Sequence, residues 1–133
     1  MPASENDYIY KKYAFMKRTL ALLSFLFIAG AASAQTEIKV EDAAKHEGDS
    51  VKVCTMIYGA KYFDNSGMTL LNAGAKYPNS PLTIMIARDS RANFKNKPED
   101  FYPEKSVCIT GKIIMYKGKP EIIVTTEQNI VVQ

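Results

Sequence analysis

Histidine and cysteine are scarce in this chain, and their scarcity removes whole classes of chemistry. Among 133 residues there is one histidine, His46, and there are two cysteines, Cys54 and Cys108. A zinc site draws on several His or Cys ligands at close spacing, and no such cluster stands in the sequence. No C-x-x-C pair marks a redox motif. His46 lies in a short polar segment with no nucleophile beside it, so no triad assembles around it. No catalytic residue, metal ligand or cofactor is therefore expected, and the chain reads as a non-enzyme. Apolar runs of the roughly 20 residues that a membrane-spanning helix needs are missing too.

What the N-terminal part does contain is an export signal. Lys17 and Arg18 give a positive start, residues 20–28 are almost wholly apolar, and Ala32-Ser33-Ala34 is a small-residue cleavage site before Gln35. Residues 1–34 thus read as a signal peptide, with 1–15 upstream of a true start at Met16. Residues 35–133 read as a single domain. Cleavage after Ala34 would release a periplasmic or secreted product with no membrane span. No cysteine follows the cleavage site, so no lipid anchor is expected there.

This division also removes most of the basic excess. Of 17 basic and 14 acidic residues, four and two lie ahead of Gln35, which leaves 13 against 12. A net charge near +1 is low for a phosphate binder, since such domains usually carry a clear basic surplus.

Along residues 35–133 the pattern is mainly that of strands. Residues 40–46 predict a short helix ended by Gly48. Residues 50–63 alternate, with Val51, Val53, Thr55 and Ile57 on one face and Lys52, Cys54, Met56 and Tyr58 on the other, which predicts a long strand. The turn formers Asp64-Asn65-Ser66-Gly67 separate it from a second strand at 68–71. A Gly- and Pro-bearing loop at 74–81 leads to a third strand at 82–87. Residues 88–102 predict one or two helical turns broken near Pro98. A fourth strand follows at 106–116, a tight Lys117-Gly118 connection, and a fifth strand at 120–126. Residues 130–132 are expected to tuck against the sheet or extend an edge.

Three strands, a helical connection and a two-stranded hairpin make the order of an OB-fold, a five-stranded Greek-key barrel with helical turns between strands 3 and 4; an open α+β sheet is the competing layout. Here a short helix also precedes strand 1. The chain resembles small exported bacterial OB-fold proteins described as nucleic-acid-binding, within the anticodon-binding-like OB superfamily. The matching segments are Lys45-His46-Glu47-Gly48, Val51-Lys52-Val53-Cys54, Leu71-Asn72 and Tyr77-Pro78-Asn79-Ser80-Pro81-Leu82-Thr83. They continue with Val107-Cys108-Ile109-Thr110-Gly111-Lys112-Ile113 and Tyr116-Lys117-Gly118-Lys119-Pro120-Glu121-Ile122. Thr55 and Ala73 depart from that pattern. The resemblance implies the barrel and, by fold analogy, a single-stranded nucleic acid or oligonucleotide as ligand. An envelope protein or glycan bound through the same face is the alternative partner.

Two constellations follow. Cys54 and Cys108 each lie opposite their strand's Val/Ile set, and OB strands 1 and 4 are neighbours. Directly opposed residues have Cα atoms about 4.5–5.5 Å apart, within disulfide range, so a structural bridge is expected. OB-folds bind ligands on strands 2 and 3, framed by the loops 1–2 and 4–5. Lys61, Tyr62, Phe63, Tyr116, Lys117 and Lys119 occupy those places, with Tyr77 and Arg88 nearby, and form the candidate ligand-binding set. Arg88, Asp89, Arg91 and Glu99 are similar to the charged cluster of exported OB-fold nucleases. They fall in the helical connection, however, and the nuclease motifs are absent.

Overall fold

The computed structural model describes residues 9–16 and 35–133. The chain divides into two units, Met1–Ala34 and Gln35–Gln133. In the first, residues 9–16 form an exposed helical segment; the export signal expected over 16–34 lies, apart from Met16, outside the described residues. No described helix is long and apolar enough to cross a membrane.

The second unit begins with β1 (Thr36–Ile38) and a 3-10 turn, Val40–His46, followed by β2 (Ser50–Phe63), β3 (Met68–Ala73) and β4 (Leu82–Ile86). A 3-10 turn (Arg88–Asn93) and one α-helical turn (Pro98–Phe101) lead to β5 (Ser106–Tyr116) and β6 (Lys119–Ile123). The chain closes with the 3-10 turn Glu127–Asn129 and β7 (Ile130–Val132). The expected count of five strands is thus corrected to seven in a mixed sheet. The additions are short: β1 pairs parallel to β2, and β7 pairs antiparallel to β5 at Val107, Cys108 and Ile109. Each covers part of the edge that β2 or β5 would otherwise leave unpaired.

The other five strands pair in a cycle. β2 pairs with β3, β3 with β4, β4 in parallel with β6, β6 with β5, and β5 again with β2. Two long strands make the cycle possible. Residues 50–56 of β2 pair with β5, and its residues from Ile57 onward pair with β3. The first sheet is therefore β1-β2-β5-β7, and the second runs β2-β3-β4-β6-β5.

The handover in β2 occurs at a bulge. Ile57 pairs with Ala73, but the next pair is Gly59 with Asn72, so one extra residue enters β2. A single extra residue reverses the side-chain alternation beyond it. Before the bulge, Val51, Val53 and Ile57 are fully buried. Beyond it, Ala60 opposes buried Leu71, while Lys61 and Phe63 oppose Leu70 and Met68 on the outer face. Unbroken alternation would have pointed Lys61 and Phe63 into the interior. β5 makes its own close approach at Gly111, where a Cβ would lie 2.6 Å from Cγ2 of the fully buried Ile122. Any side chain there would displace a core residue.

The interior is aliphatic. Leu71, Leu82, Ile84, Ile86, Ile109, Ile113, Ile122 and Val124 are fully buried beside the β2 residues. Burial of each such side chain contributes about 1.5–3 kcal/mol. Val40 and Ala43 of the first 3-10 turn join this core, as do Phe94 and Tyr102 from the segment between β4 and β5. Tyr102 meets Phe94 and Phe101 edge-on, with ring centroids 6.4 and 5.0 Å away. Burial pushes its hydroxyl up to about 12.

Cys54 stands directly opposite Cys108 in the β2–β5 register, and the two are bridged, with Cα atoms 4.0 Å apart. The bond closes a separation of 54 residues, which in the chain-entropy treatment is worth about 4 kcal/mol. A small domain commonly has only about 5–15 kcal/mol in total. Replacing both cysteines by alanine is therefore expected to lower unfolding stability by about 2–4 kcal/mol, read by urea denaturation. Equal midpoints for the two proteins would show that the bridge adds nothing to the β2–β5 pairing.

Candidate binding face

The outer face of the second sheet is read from register. One row runs Lys61, Leu70, Met85 and Ile123 across four strands, and the next runs Gly59, Asn72, Thr83, Glu121 and Ile114. Leu70 and Met85 are half-buried and Ile123 is 45% exposed. The middle of the face is thus an apolar strip with polar groups beside it.

Basic and aromatic residues gather at both ends. At the β2–β3 end, the Lys61 ammonium lies 4.9 Å from the Phe63 ring centroid. Arg88 donates from Nη2 to the Asn65 carbonyl at 3.1 Å and lies across Gly67, where a Cβ would come within 2.6 Å of its Nε. Gly67 has φ +70, so both the turn and the arginine above it call for glycine. Ser66, Met68, Met85, Ala87, Arg88 and Asp89 line an open hollow there.

The other end is the β5–β6 hairpin. Lys117 and Gly118 both have positive φ, the geometry that two-residue hairpins favour. Tyr116 opposes Lys119, is 56% exposed, and has the Lys117 ammonium 5.4 Å from its ring centroid. Lys119 donates to the Pro78 carbonyl at 3.4 Å, which brings in the loop that carries the exposed Tyr77. Following β4 from one end to the other, the two groups are separated by roughly 20 Å at about 3.3 Å per residue.

Seven of the eight candidate residues therefore fall into two groups on one face, Lys61, Phe63 and Arg88 at one end and Tyr77, Tyr116, Lys117 and Lys119 at the other. Tyr62 is not among them. It opposes buried Thr69, and the Arg91 guanidinium covers its ring at 4.4 Å. Arg91 in turn holds Glu99 with two parallel bonds, Nη1 to Oε2 at 2.7 Å and Nη2 to Oε1 at 2.9 Å, and donates to the Thr69 hydroxyl. Thr69 donates to Glu99 Oε2 at 3.2 Å. The Arg91 hydrogen bonds, opposed in part by burial, bring the Glu99 carboxyl down to about 2. Arg91 and Glu99 thus spend their chemistry on each other, fastening the helical connection to β2 and β3. The nuclease-like cluster is split, since Arg88 belongs to the binding face.

Glu121 is a further residue of this face, absent from the set that the sequence points to. Ile122 and Val124 point inward, so Glu121 shares the outer face with Lys119 and Ile123, yet it is only 8% exposed. No described residue donates a hydrogen bond to its carboxylate or pairs with it. Burial raises its pKa above the ordinary carboxylate range. Its signal in sequence is a lone acid inside the apolar run Pro120-Glu121-Ile122-Ile123-Val124.

No family profile matches the chain, and no curated protein sequence does. Among solved structures, it is similar to a chain from yeast Stn1 and Ten1, with a TM-score of 0.53, 12% identity, and coverage of 77% of this chain and 64% of that one. A chain described as a putative aspartyl-tRNA synthetase from Leishmania major Friedlin gives 0.49 and 13% identity over 78% of this chain and 22% of that one. This chain therefore spans less than two thirds of either. The Stn1 and Ten1 likeness speaks for the fold alone and agrees with the OB class expected from strand order.

The Arg91–Glu99 pair makes a prediction with a definite sign. Glu99 keeps its charge down to about pH 2, against an ordinary value of 4.5. Its stabilisation is complete above the ordinary range and is lost as pH falls through about 2. Arg91→Ala is expected to cost about 1.5–3 kcal/mol near neutral pH, with the gap to the unmodified protein closing toward about pH 2. Urea unfolding at both pH values checks this, and a gap unchanged by acid would contradict it.

Proposed function

We propose that residues 35–133 form an exported, non-enzymatic OB-fold barrel that binds single-stranded nucleic acid on the outer face of the second sheet. The observation that carries this reading is the pairing of aromatic rings with lysines at both ends of one sheet face, Lys61 with Phe63 and Tyr116 with Lys117 and Lys119. Stacking on an aromatic ring is worth about 1–3 kcal/mol per base, and lysines meet the intervening phosphates. The span suits a short strand near the lower end of the roughly 4–16 nucleotides that an OB-fold covers. The face lies on the strands, and between the loops, where OB-folds take oligonucleotides.

Export rests on the sequence of residues 16–34, and the Cys54–Cys108 bond supports it, because disulfides persist in oxidising compartments. A specific observation also favours a second reading. The apolar strip of Leu70, Met85 and Ile123, with a domain charge near neutral, suits an envelope protein or glycan partner on the same face.

Salt dependence separates the two. Exchanging Lys61, Lys117 and Lys119 together for glutamine is expected to weaken oligonucleotide binding. Its log–log salt slope should flatten by about 0.7 for each phosphate that the protein no longer neutralises. Fluorescence titrations at several salt concentrations measure both. An unmodified protein that binds no oligonucleotide at low salt would rule out the nucleic-acid reading and leave the second.

A further inference from the structure

We infer that Tyr58 and Gly59 form a further base-stacking subsite at the β2 bulge, an assignment that rests on the nucleic-acid reading above. Ile57 pairs with Ala73 and Gly59 with Asn72, so Tyr58 is the residue left without an opposite number. Ile57 before the bulge and Ala60 after it both pack into the core. The two residues between them therefore face outward side by side, where a regular strand would send one of them in. Tyr58 is 41% exposed. Gly59 is the second observation. Four of the other described glycines have positive φ, and Gly111 abuts Ile122. Gly59 has no positive φ, and a Cβ there would meet Asn72 Nδ2 at an ordinary 3.6 Å. Neither conformation nor space asks for glycine here, and inside a strand glycine weakens the fold. Such a glycine is explained where a ligand comes close to the backbone.

The two residues complement each other. With no side chain at position 59, the Tyr58 ring has bare backbone beside it, and a flat base can lie against the ring and over that backbone. Every base has a face to stack, so this contact is tolerant of sequence. Asn72 borders the same notch: its Oδ1 accepts from Ser80 Oγ at 3.5 Å, and its Nδ2 is the end turned to Gly59. Lys61 lies two residues beyond Gly59 on the same face, about 7 Å along β2, where it meets a neighbouring phosphate. A ring beside a lysine is the arrangement already present at both ends of the face.

The test uses the disulfide-bonded protein and a labelled dT octamer. Gly59→Val is expected to keep or raise the urea midpoint, since strands favour valine over glycine. The same change should weaken octamer binding by about fivefold or more, the scale of one stacked base. A gain for the fold with a loss for the ligand is what a merely structural glycine would not give. Tyr58→Ala should weaken binding to a similar degree, and Tyr58→Phe, which keeps the ring, should stay within about twofold of the unmodified protein. A measurement that needs no variant to fold is photo-crosslinking of octamers carrying one iododeoxyuridine at successive positions, with an adduct expected on Tyr58. Nearly full binding by Gly59→Val or Tyr58→Ala, an equal loss in Tyr58→Phe, or adducts confined to other residues overturns the inference while the nucleic-acid reading stands. No binding of the octamer by the unmodified protein at low salt defeats that reading and the inference with it.

Discussion

Everything in this domain depends on β2 serving two sheets. Its first half is committed to β5, fastened there by the Cys54–Cys108 bond, and its second half to β3. A regular strand cannot do this and also keep apolar side chains inside, because the interior lies on different sides of its path as it bends. The extra residue between Ile57 and Gly59 resolves the conflict by resetting the alternation. One consequence is structural, since Ala60 takes the inward position opposite Leu71 and packs against the core. The other is functional, since Lys61 and Phe63 emerge on the face that the hairpin lysines share.

Two glutamates show how the same side chain serves opposite ends. Glu99 is partly buried with a complete set of donors from Arg91 and Thr69, and its carboxyl is held down to about 2. It stabilises the fold at every pH above the ordinary carboxylate range. Glu121 is 8% exposed as a residue and has no protein donor, its carboxylate oxygens remain in reach of water, and burial moves its pKa up. The free protein therefore loses stability there as pH rises past the ordinary value and Glu121 ionises. A carboxylate supplied with donors fastens the helical connection in place, whereas one without protein donors weakens the fold as it ionises.

The fold is largely legible in the sequence because its strands are long or sharply bounded. β2 and β5 match the expected 50–63 and 106–116, since fourteen and eleven residues give alternation room to declare itself. β1 escapes for the opposite reason, as three residues carry no period and its parallel pairing with β2 is set by tertiary contact. β6 ends at Ile123, short of the expected 126, where the chain leaves the ladder after its pairing with β4. The candidate site is legible as a region and less so residue by residue. Sequence adjacency groups Tyr62 with Lys61 and Phe63, whereas a strand sends neighbours to opposite sides. Gly59 is the available sign of the bulge, but its position in the register depends on β3. The burial of Glu121 depends on β4 and β5 and cannot be read from β6 alone.

Ligand binding on the outer face of the second sheet, at its two aromatic and lysine-bearing ends, is the central claim. Backbone amide chemical-shift mapping by NMR during titration with a short single-stranded oligonucleotide tests this most directly. Shifts are expected to concentrate at Lys61, Phe63, Leu70, Met85, Arg88, Tyr116, Lys119 and Glu121, with residues around Cys54, Cys108 and Val131 on the first sheet unmoved. Shifts centred on the first sheet, or spread evenly over the surface, would contradict it.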